Sequence, residues 1–273
     1  MTERLSVGLI GAGVMGGALL RNWLKKAVIE PSKSVVFDPN LTDDVRRECI
    51  EAGLGVSPGP PPGTPPLDVL VVAVKPQAAR DVLAGYADLA QRALVLSIMA
   101  GRSVDAVAND FGSAPRVVRA MPNLAALFGA GAAGLYAPDR VAAPDRAVAE
   151  RLMTATGAAV WVDSEDALDA VTAVSGSGPA YFLAMTEALE TAGVAAGLST
   201  RDAAALARAT CVGVGAMLAG STASPGDWRD RVTSKGGSTA AALEALQGAD
   251  GRLDKLVGDT VAAAKARAEA LRG

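Results

Sequence analysis

The 273-residue chain is long enough for one large domain or two of ordinary size, and half of its residues are hydrophobic, which excludes a disordered protein. Its 26 basic and 29 acidic residues leave a net charge of −3, which argues against a protein dedicated to nucleic acid or an anionic membrane. The absence of histidine excludes a histidine general base, a Ser-His-Asp triad and a histidine-ligated metal, and no metal site is expected.

Short apolar runs alternate with helical patterns through the first 160 residues or so. Strands that alternate with helices are typical of a parallel sheet covered on both faces, so an α/β domain is predicted. The predicted strands are residues 5–10, 34–38, 68–74, 93–99, 116–121, 131–136 and 158–162. The predicted helices are residues 14–27, 42–51, 77–89, a short segment after Ser103, and 144–156.

The pattern changes after Ser164, where alanine-rich helical segments replace the strands. These helices are predicted at residues 165–174, 179–196, 200–220, 228–232, 238–246 and 252–271. We therefore predict two domains, residues 1–164 and 165–273. Residues 57–66, with six prolines in ten, are predicted to form an extended surface loop.

Two further features bear on the compartment. The one uncharged run of membrane-spanning length, residues 120–137, contains Pro122 and three glycines, so it is predicted to be buried loop and strand, and no other segment is expected to span a membrane. Cys49 and Cys211 are too few for a zinc cluster or a disulfide scaffold and are predicted to be buried thiols in a reducing cytosol. These features predict a cytoplasmic protein with no membrane or nucleic-acid partner.

A GxGxxG motif, GAGVMG at residues 11–16, follows the first predicted strand and opens the first helix. Gly11 allows a tight turn, Gly13 lets a pyrophosphate approach the backbone, and Gly16 lets the helix pack close to the sheet. The phosphates would bind free N–H groups at the positive end of the helix dipole. Because Asp38 follows Gly16 by 22 residues and ends the second strand, the motif favours dinucleotide binding over a glycine-rich turn that binds nothing.

Asp38 and the ends of two later strands predict where the rest of the dinucleotide lies. A carboxylate suits the 2′-hydroxyl of NAD and repels the 2′-phosphate of NADP, although Arg46 and Arg47 could face such a phosphate. Lys75 ends a strand and is either a cofactor contact or only a charge that terminates the strand. The small Ala100 and Gly101, at the end of the next strand, suit a flat nicotinamide ring.

Two segments of the helical half could hold a small ligand. SGSGP at residues 175–179 interrupts an apolar helical pattern, either as a helix break or to make room for a ligand. TSKGGST at residues 233–239 precedes a predicted helix, so its N–H groups could converge on an anion. The alternative there is an ordinary N-cap at Ser238. With a dinucleotide fold upstream, we predict a small carboxylate substrate at residues 233–239.

Taken together, six segments resemble the pyrroline-5-carboxylate reductase family along nearly the whole chain. They are GAGVMG at 11–16, AVKPQ at 73–77, RAMPN at 119–123, DAVTAVSGSGPAYF at 169–182, AGVAAGLSTRDAAALA at 192–207 and SPGDWRDRVTSKGGST at 224–239. The SGSGPAY and TSxGGxT patterns are specific to that family, whereas GxGxxG is not. The resemblance implies a Rossmann-like N-terminal domain and an all-helical dimerisation domain that interlocks with a second subunit, in a homodimer or a larger ring of dimers.

The resemblance also implies the site residues. The cofactor positions are Ile10, Gly11, Ala12, Gly13, Val14, Met15, Asp38, Ala73, Val74, Lys75, Pro76, Ile98, Met99 and Ala100. The positions that line the substrate pocket are Glu165, Thr172, Ser234, Gly237, Ser238 and Thr239. In that family the pocket grips the carboxylate of the ring largely through N–H groups of the Gly-Gly loop.

The chain departs from the family pattern at three places. Leu124 and Ala125 replace Thr and Pro of the usual MPNTPA, and Lys235 and Ser238 replace Pro and Thr of the usual TSPGGTT. After the second strand the family often has Ser, Asn or Arg to receive a 2′-phosphate, where this chain has Asp38. Asp38 therefore favours NADH, whereas the resemblance favours NADPH.

The reaction implied by the resemblance is hydride transfer from the nicotinamide to C5 of 1-pyrroline-5-carboxylate, the last step of proline biosynthesis. An imine that arrives protonated needs no enzymic acid. Thr172 is expected to orient the ring nitrogen through its hydroxyl, unless that hydroxyl bonds only its own helix. The alternatives are a reductase of another small cyclic imino acid, a hydroxyacid-dehydrogenase-like enzyme using Lys235 or Lys255 as acid, and a non-catalytic sensor of dinucleotide and proline.

Overall fold

The structure, a computed structural model, describes residues 3–272. The chain forms two compact units, one of residues 3–176 with 265–272 and the other of Ser177–Ala264. The last strand ends at Trp161, and only helices and connecting turns follow it among the described residues. The domain boundary expected near Ser164 stays a prediction.

An eight-stranded sheet forms the centre of the first unit. Its strands are β1 (Val7–Ile10), β2 (Val35–Phe37), β3 (Gly55–Ser57), β4 (Val69–Val72), β5 (Leu94–Ser97), β6 (Arg116–Pro122), β7 (Gly131–Tyr136) and β8 (Gly157–Trp161). Their order is β3-β2-β1-β4-β5-β6-β7-β8, and all pairings among the first six strands are parallel. The predicted α/β fold is thus confirmed. The strand order reverses between β1 and β4, and in such sheets ligands bind at that point, beyond the carboxyl ends of the strands.

Helices cover both faces of this sheet, so successive residues of its central strands are buried on opposite sides. Val69 and Val71 of β4 join one core cluster with Trp23, whereas Leu70 joins a second cluster with Phe111. The helices of this unit are α1 (Val14–Lys25), α2 (Asp43–Glu51), α3 (Ala79–Leu83), α4 (Ala87–Arg92), α5 (Val104–Phe111), α6 (Ala143–Thr154) and α7 (Ala167–Val171). The apolar strands therefore form the predicted core that is buried on both faces.

Three elements differ from the sequence-based expectations. β3, which pairs with β2 at the start of the proline-rich loop, was not predicted, because a strand of three residues is too short to give a clear sequence pattern. The helix predicted at 77–89 is divided into α3 and α4 by a 3₁₀ turn, Ala84–Tyr86, which contains the weak helix former Gly85. The helix predicted at 165–174 is α7 followed by a π-helical turn at Thr172–Gly176.

The seventh strand reverses the sheet. β7 runs antiparallel to β6 and parallel to β8. Asn123, which follows β6, is buried and joins three pieces of chain: its Oδ1 accepts from the N–H of Ala132 at 3.1 Å, and its Nδ2 donates to the carbonyl of Ser175 at 2.9 Å. This amide holds the end of β6 against both β7 and the π-helical turn.

The second unit consists of helices. They are α8 (Gly178–Ala195), α9 (Thr200–Ala219), α10 (Pro225–Arg231), α11 (Ser238–Gln247) and the first part of α12 (Arg252–Ala270). α8 and α9 pack against each other, yet large apolar side chains such as Phe182, Leu183 and Val212 are each 68% exposed. An apolar surface of this extent is typical of an association surface.

The expectation of no second membrane span stays a prediction: α9 is long and apolar enough to cross a membrane by length and composition alone, and 11% of its apolar window is buried. The expectation about one cysteine was wrong. Cys211 on α9 is exposed, whereas Cys49 is buried as predicted. The cause is that alanine-rich helices are apolar on every side, so the sequence does not mark which side the same chain covers.

Candidate cofactor and substrate site

The glycine turn, residues 11–16, joins β1 to α1. Gly11 has a φ of +89°, and a Cβ there would come within 2.9 Å of the carbonyl oxygen of Ala73. A Cβ on Gly16 would overlap the carbonyl oxygen of Gly11. By contrast, a Cβ on Gly13 would meet no described atom within 4 Å. The outer two glycines therefore close the turn, and the middle one leaves open space.

The N-terminus of α1 is available to an anion. Gly13 is its N-cap residue and offers no side-chain hydrogen bond, and the first turn contains no acidic residue. The first N–H groups of a helix lack intrahelical partners and lie at the positive end of its dipole. The open space at Gly13 and these donors together fit the pyrophosphate of a dinucleotide.

Asp38 lies beside the glycine turn, as predicted, but its carboxylate already has two partners. Oδ2 accepts from the N–H of Ala12 at 2.9 Å, and Oδ1 accepts from the N–H of Asn40 at 2.9 Å. Each carboxylate oxygen has a second lone pair, so Asp38 can still accept from a ribose hydroxyl. Arg47 pairs with Asp44 at 3.4 Å on an exposed face of α2.

A strand-end cleft of about 290 Å³ lies at the carboxyl ends of β4, β5 and β6. It is lined by Met15, Ala73, Val74, Lys75, Pro76, Ile98, Met99, Ala100, Met121 and Pro122. Met15 belongs to the glycine turn, so the turn and the cleft are contiguous. The cleft thus contains all seven residues predicted along the nicotinamide half. The exposed Lys75 forms no ion pair with a described residue.

Glu165 makes contacts within the first unit. Its Oε1 accepts from Arg119 Nη1 at 2.8 Å and from the N–H of Val104 at 2.7 Å. Arg119, on β6, is 4% exposed. Glu165 therefore neutralises a buried cation and binds the first turn of α5, in addition to any role toward substrate that the resemblance implies.

Thr172 begins the π-helical turn, a feature often found at functional sites. Its Oγ1 donates to the carbonyl of Leu168 at 2.8 Å, which is the helix bond considered above as the alternative. Because a hydroxyl has one hydrogen, that bond leaves Thr172 able to accept but not to donate. A ring nitrogen that still carries its proton could therefore donate to Thr172.

The glycine-pair loop, residues 233–239, lies in the second unit. Gly237, rather than Ser238, is the N-cap residue of α11, and no side chain caps the helix among the described residues. Ser238 and Thr239 are its first two residues, Gly236 has a φ of +71°, and the Gly237 N–H donates to the carbonyl of Ser234 at 3.0 Å. The four predicted residues of this loop therefore surround a helix N-terminus that has free donors.

Sequence reasoning assigned no site role to Met121 and Pro122, although both line the strand-end cleft. They belong to the RAMPN segment, and the rule that placed residues of β4 and β5 at this edge applies equally to the end of β6. Within residues 3–272, no group of three His, Cys, Asp or Glu side chains is placed to hold a metal ion.

Two family models match the chain. Residues 165–271 match pyrroline-5-carboxylate reductase dimerisation, and residues 6–101 match NADP oxidoreductase, coenzyme F420-dependent. The pyrroline-5-carboxylate reductase of Synechocystis is 37% identical over 245 residues, which cover 89% of this chain and 90% of that protein. The pyrroline-5-carboxylate reductase of Pseudomonas aeruginosa is 37% identical over 88% of each chain.

Solved structures agree with these relatives. A pyrroline-5-carboxylate reductase from Coxiella burnetii superposes with a TM-score of 0.92 at 31% identity, covering 99% of this chain and 100% of that one. Pyrroline carboxylate reductase of Plasmodium falciparum, solved with NADP bound, has a TM-score of 0.79 at 26% identity and full coverage of both chains. The similarity thus extends over both units.

Proposed function

Because the chain belongs to the pyrroline-5-carboxylate reductase family and reduces 1-pyrroline-5-carboxylate to L-proline with a nicotinamide dinucleotide, we propose that the strand-end cleft holds the nicotinamide and the glycine turn the pyrophosphate. The observation that carries this assignment is the contiguity of the two, since Met15 belongs to both. A reductase of another imino acid, a hydroxyacid dehydrogenase and a non-catalytic sensor are not favoured, because the relatives are named for the reduction of this one substrate.

The bound cofactor supplies a hydride, and C5 of the ring accepts it; with the ring nitrogen already protonated, the product is the amine of proline. The protein's residues have a positioning role. Gly11 and Gly16 set the path of the backbone, Gly13 leaves space for the phosphates, and the small Ala100 allows a flat ring to approach the end of β5. Holding two reactants in a reactive geometry can contribute several kcal/mol without an acid or base.

We assign two recognition roles toward the imino acid. Thr172 accepts a hydrogen bond from the protonated ring nitrogen, since its own hydrogen is bound to Leu168. The N–H groups at the start of α11, from Ser238 onward, bind the carboxylate, and Ser234, Ser238 and Thr239 add hydroxyls around it. A helix N-terminus with no competing cap is suited to a carboxylate.

Asp38 makes NADH the preferred reductant in this proposal, because its carboxylate is close to the turn that holds the pyrophosphate and would repel a 2′-phosphate. The Plasmodium relative was solved with NADP, so the family does not impose this preference. Comparing the kcat/KM values for NADH and NADPH decides it.

The dimerisation family model supports homo-oligomerisation. We propose a homodimer formed through the helical unit, with a ring of dimers as the larger assembly. A partner subunit would cover the exposed apolar side chains of α8 and α9, including Val212, so α9 need not enter a membrane. The assembly would be a cytoplasmic enzyme, and its mass in solution by light scattering gives the subunit count.

The decisive assay follows the absorbance of reduced nicotinamide with purified protein and 1-pyrroline-5-carboxylate, and identifies proline as product. A hydroxyacid such as lactate with oxidised cofactor is the matched comparison. Turnover with the imino acid alone is expected. Binding of cofactor and proline without turnover would instead indicate a sensor, and turnover of the hydroxyacid would indicate a dehydrogenase.

A further inference from the structure

The end of the chain returns to the first unit and contacts two of its functional elements. The backbone of Leu271 lies against Gly101, where a Cβ would come within 2.7 Å of the Leu271 carbonyl oxygen. Gly101 directly follows Ala100, which lines the strand-end cleft. The next residue, Arg272, reaches α7.

Arg272 contacts two carboxylates with the two arms of its guanidinium, one on the N-cap residue of α7, Asp166, and one within α7, Asp169. Nη1 lies 2.5 Å from Oδ1 of Asp166, and Nη2 lies 2.6 Å from Oδ2 of Asp169. Asp166 is exposed, but Asp169 is 4% exposed. The arm at Asp166 forms a hydrogen bond, whereas the arm at Asp169 forms a close ion pair without one. The two arms of a planar guanidinium reach both carboxylates at once, which a compact ammonium cannot reproduce.

Asp169 needs this partner because it is buried. Burial raises the pKa of its carboxyl, and Arg272 and Arg119 act in the opposite direction. Removing one partner of a buried ion pair leaves an uncompensated charge, which the surrounding structure must relieve by moving. α7 has only five residues, Ala167–Val171, so such a movement would affect the whole helix.

Thr172 follows α7 directly, one helical turn after Asp169. Successive residues at this spacing lie on one side of a helix. The Thr172 hydroxyl is also bound to Leu168 of α7, so its position depends on the position of that helix.

We propose that Arg272 is a positioning residue for the reduction: it fixes α7 through Asp169 and thereby fixes Thr172 toward the ring nitrogen. This inference rests on the proposed role of Thr172. The C-terminal segment is then part of the active-site support.

The test compares Arg272→Gln, Arg272→Lys and Thr172→Val in the full-length protein. Arg267→Gln is the matched control, because Arg267 is exposed near the end of α12, five residues before Arg272, and forms no ion pair with a described residue. We expect Arg272→Gln to lower kcat by about tenfold, since a small misplacement of a reacting group costs this much, with less than about threefold change in the dissociation constant of NADH. Arg272→Lys should restore only part of kcat, and the control should equal wild type.

Amide hydrogen exchange gives a readout that does not depend on turnover. In Arg272→Gln, peptides covering residues 167–176 should exchange faster, whereas peptides of α1 should not change. In the Thr172→Val background, Arg272→Gln should lower kcat little further, because both act through one contact.

The outcomes separate this inference from the proposed function. If Thr172→Val keeps the wild-type kcat, the role of Thr172 is wrong, and this route for Arg272 fails with it. If Thr172→Val loses activity but Arg272→Gln keeps the wild-type kcat and the wild-type rate of amide exchange, Arg272 does not position α7 or Thr172. A lower thermal midpoint in Arg272→Gln with unchanged kcat would make the contact purely structural and also overturn the inference.

Discussion

The carboxylate of Asp38, after β2, accepts a 2.9 Å hydrogen bond from the main-chain N–H of Ala12, in the glycine turn after β1. The acid that sequence reasoning expects to face a ribose thus also holds the turn that faces the phosphates. A substitution at Asp38 changes a charge and an acceptor at once, so its test needs two variants.

Asp38→Ser should shift the ratio of kcat/KM for NADPH over NADH upward by about ten- to a hundredfold, which corresponds to ~1–3 kcal/mol of lost repulsion. Asp38→Asn retains one acceptor and removes the charge, so it should shift the ratio in the same direction. Asp43→Ser, on exposed α2, is the control and should leave the ratio unchanged, because Asp43 forms no ion pair with a described residue. If neither Asp38 variant moves the ratio, Asp38 does not face the ribose.

Substitutions at two glycines of the same turn should have different effects. Gly13→Val places a branched side chain in open space, so dinucleotide binding should weaken by at least about tenfold while the thermal midpoint stays close to wild type. Gly16→Ala forces a Cβ onto the carbonyl of Gly11 and should cost about 1–3 kcal/mol of folding free energy. Titration with NADH measures the affinity for the dinucleotide, and thermal unfolding measures the stability of each variant. Unchanged affinity in Gly13→Val would contradict the site.

Gly237→Val should raise the KM for the imino acid about tenfold or more and leave NADH binding nearly intact, because it fills the proposed carboxylate position. A Cβ on Gly237 would also overlap Oγ of Ser234. The double variant Ser234→Ala/Gly237→Ala removes that overlap and separates crowding from occupation of the site. If KM is unchanged in Gly237→Val, the loop is only a helix start and the substrate binds elsewhere.

Lys235, exposed in the glycine-pair loop where the family usually has Pro, provides a test of long-range attraction. If its ammonium attracts the substrate anion, KM rises with salt in wild type and rises less in Lys235→Pro. Lys235→Gln controls for the backbone effect of proline. Equal salt dependence in all three proteins would show that Lys235 only contacts solvent; this is the expected result, because surface charges are screened.

Burial, together with the nearby Asp38 carboxylate, raises the pKa of Tyr86 from 10.0 to about 12. Since the pKa is higher in the folded state, the stabilisation by neutral Tyr86 is complete below pH 10 and is lost as the pH rises toward 12. The phenolate absorbance that disappears in Tyr86→Phe should titrate near this value, and Asp38→Ser should lower it. An ordinary pKa for that component would contradict the buried position.

Local rules explain what the sequence predicted well. The glycine turn and the ends of β4 and β5 follow from strand, turn and helix signals within short segments, so their place at one edge of the sheet could be predicted. The part of the strand-end cleft that β6 contributes, Met121 and Pro122, was missed. The start of α11 at Ser238 was predicted for the same reason, because a glycine pair directly precedes an apolar helical run.

Long-range pairings explain what could not be predicted from the sequence. The contact between Glu165 and Arg119 joins residues 46 apart, and neither has a local pattern that identifies the other. At the reversal between β6 and β7, the amide of Asn123 bonds Ala132 and Ser175, which are 9 and 52 residues away in sequence. The exposure of Cys211 depends on which side of α9 the rest of the chain covers, and periodicity in an alanine-rich helix does not indicate that.

The uncovered apolar residues of α8 and α9 have a consequence for how much enzyme a cell can maintain. If subunit association buries Phe182 and Val212, the folded form is stabilised by mass action, and its thermal midpoint rises with protein concentration. At low expression more subunits would be dissociated, and their exposed apolar surface would make them prone to aggregation and proteolysis. Active enzyme would then increase more steeply than gene dosage, so halving the synthesis rate would remove more than half of the activity.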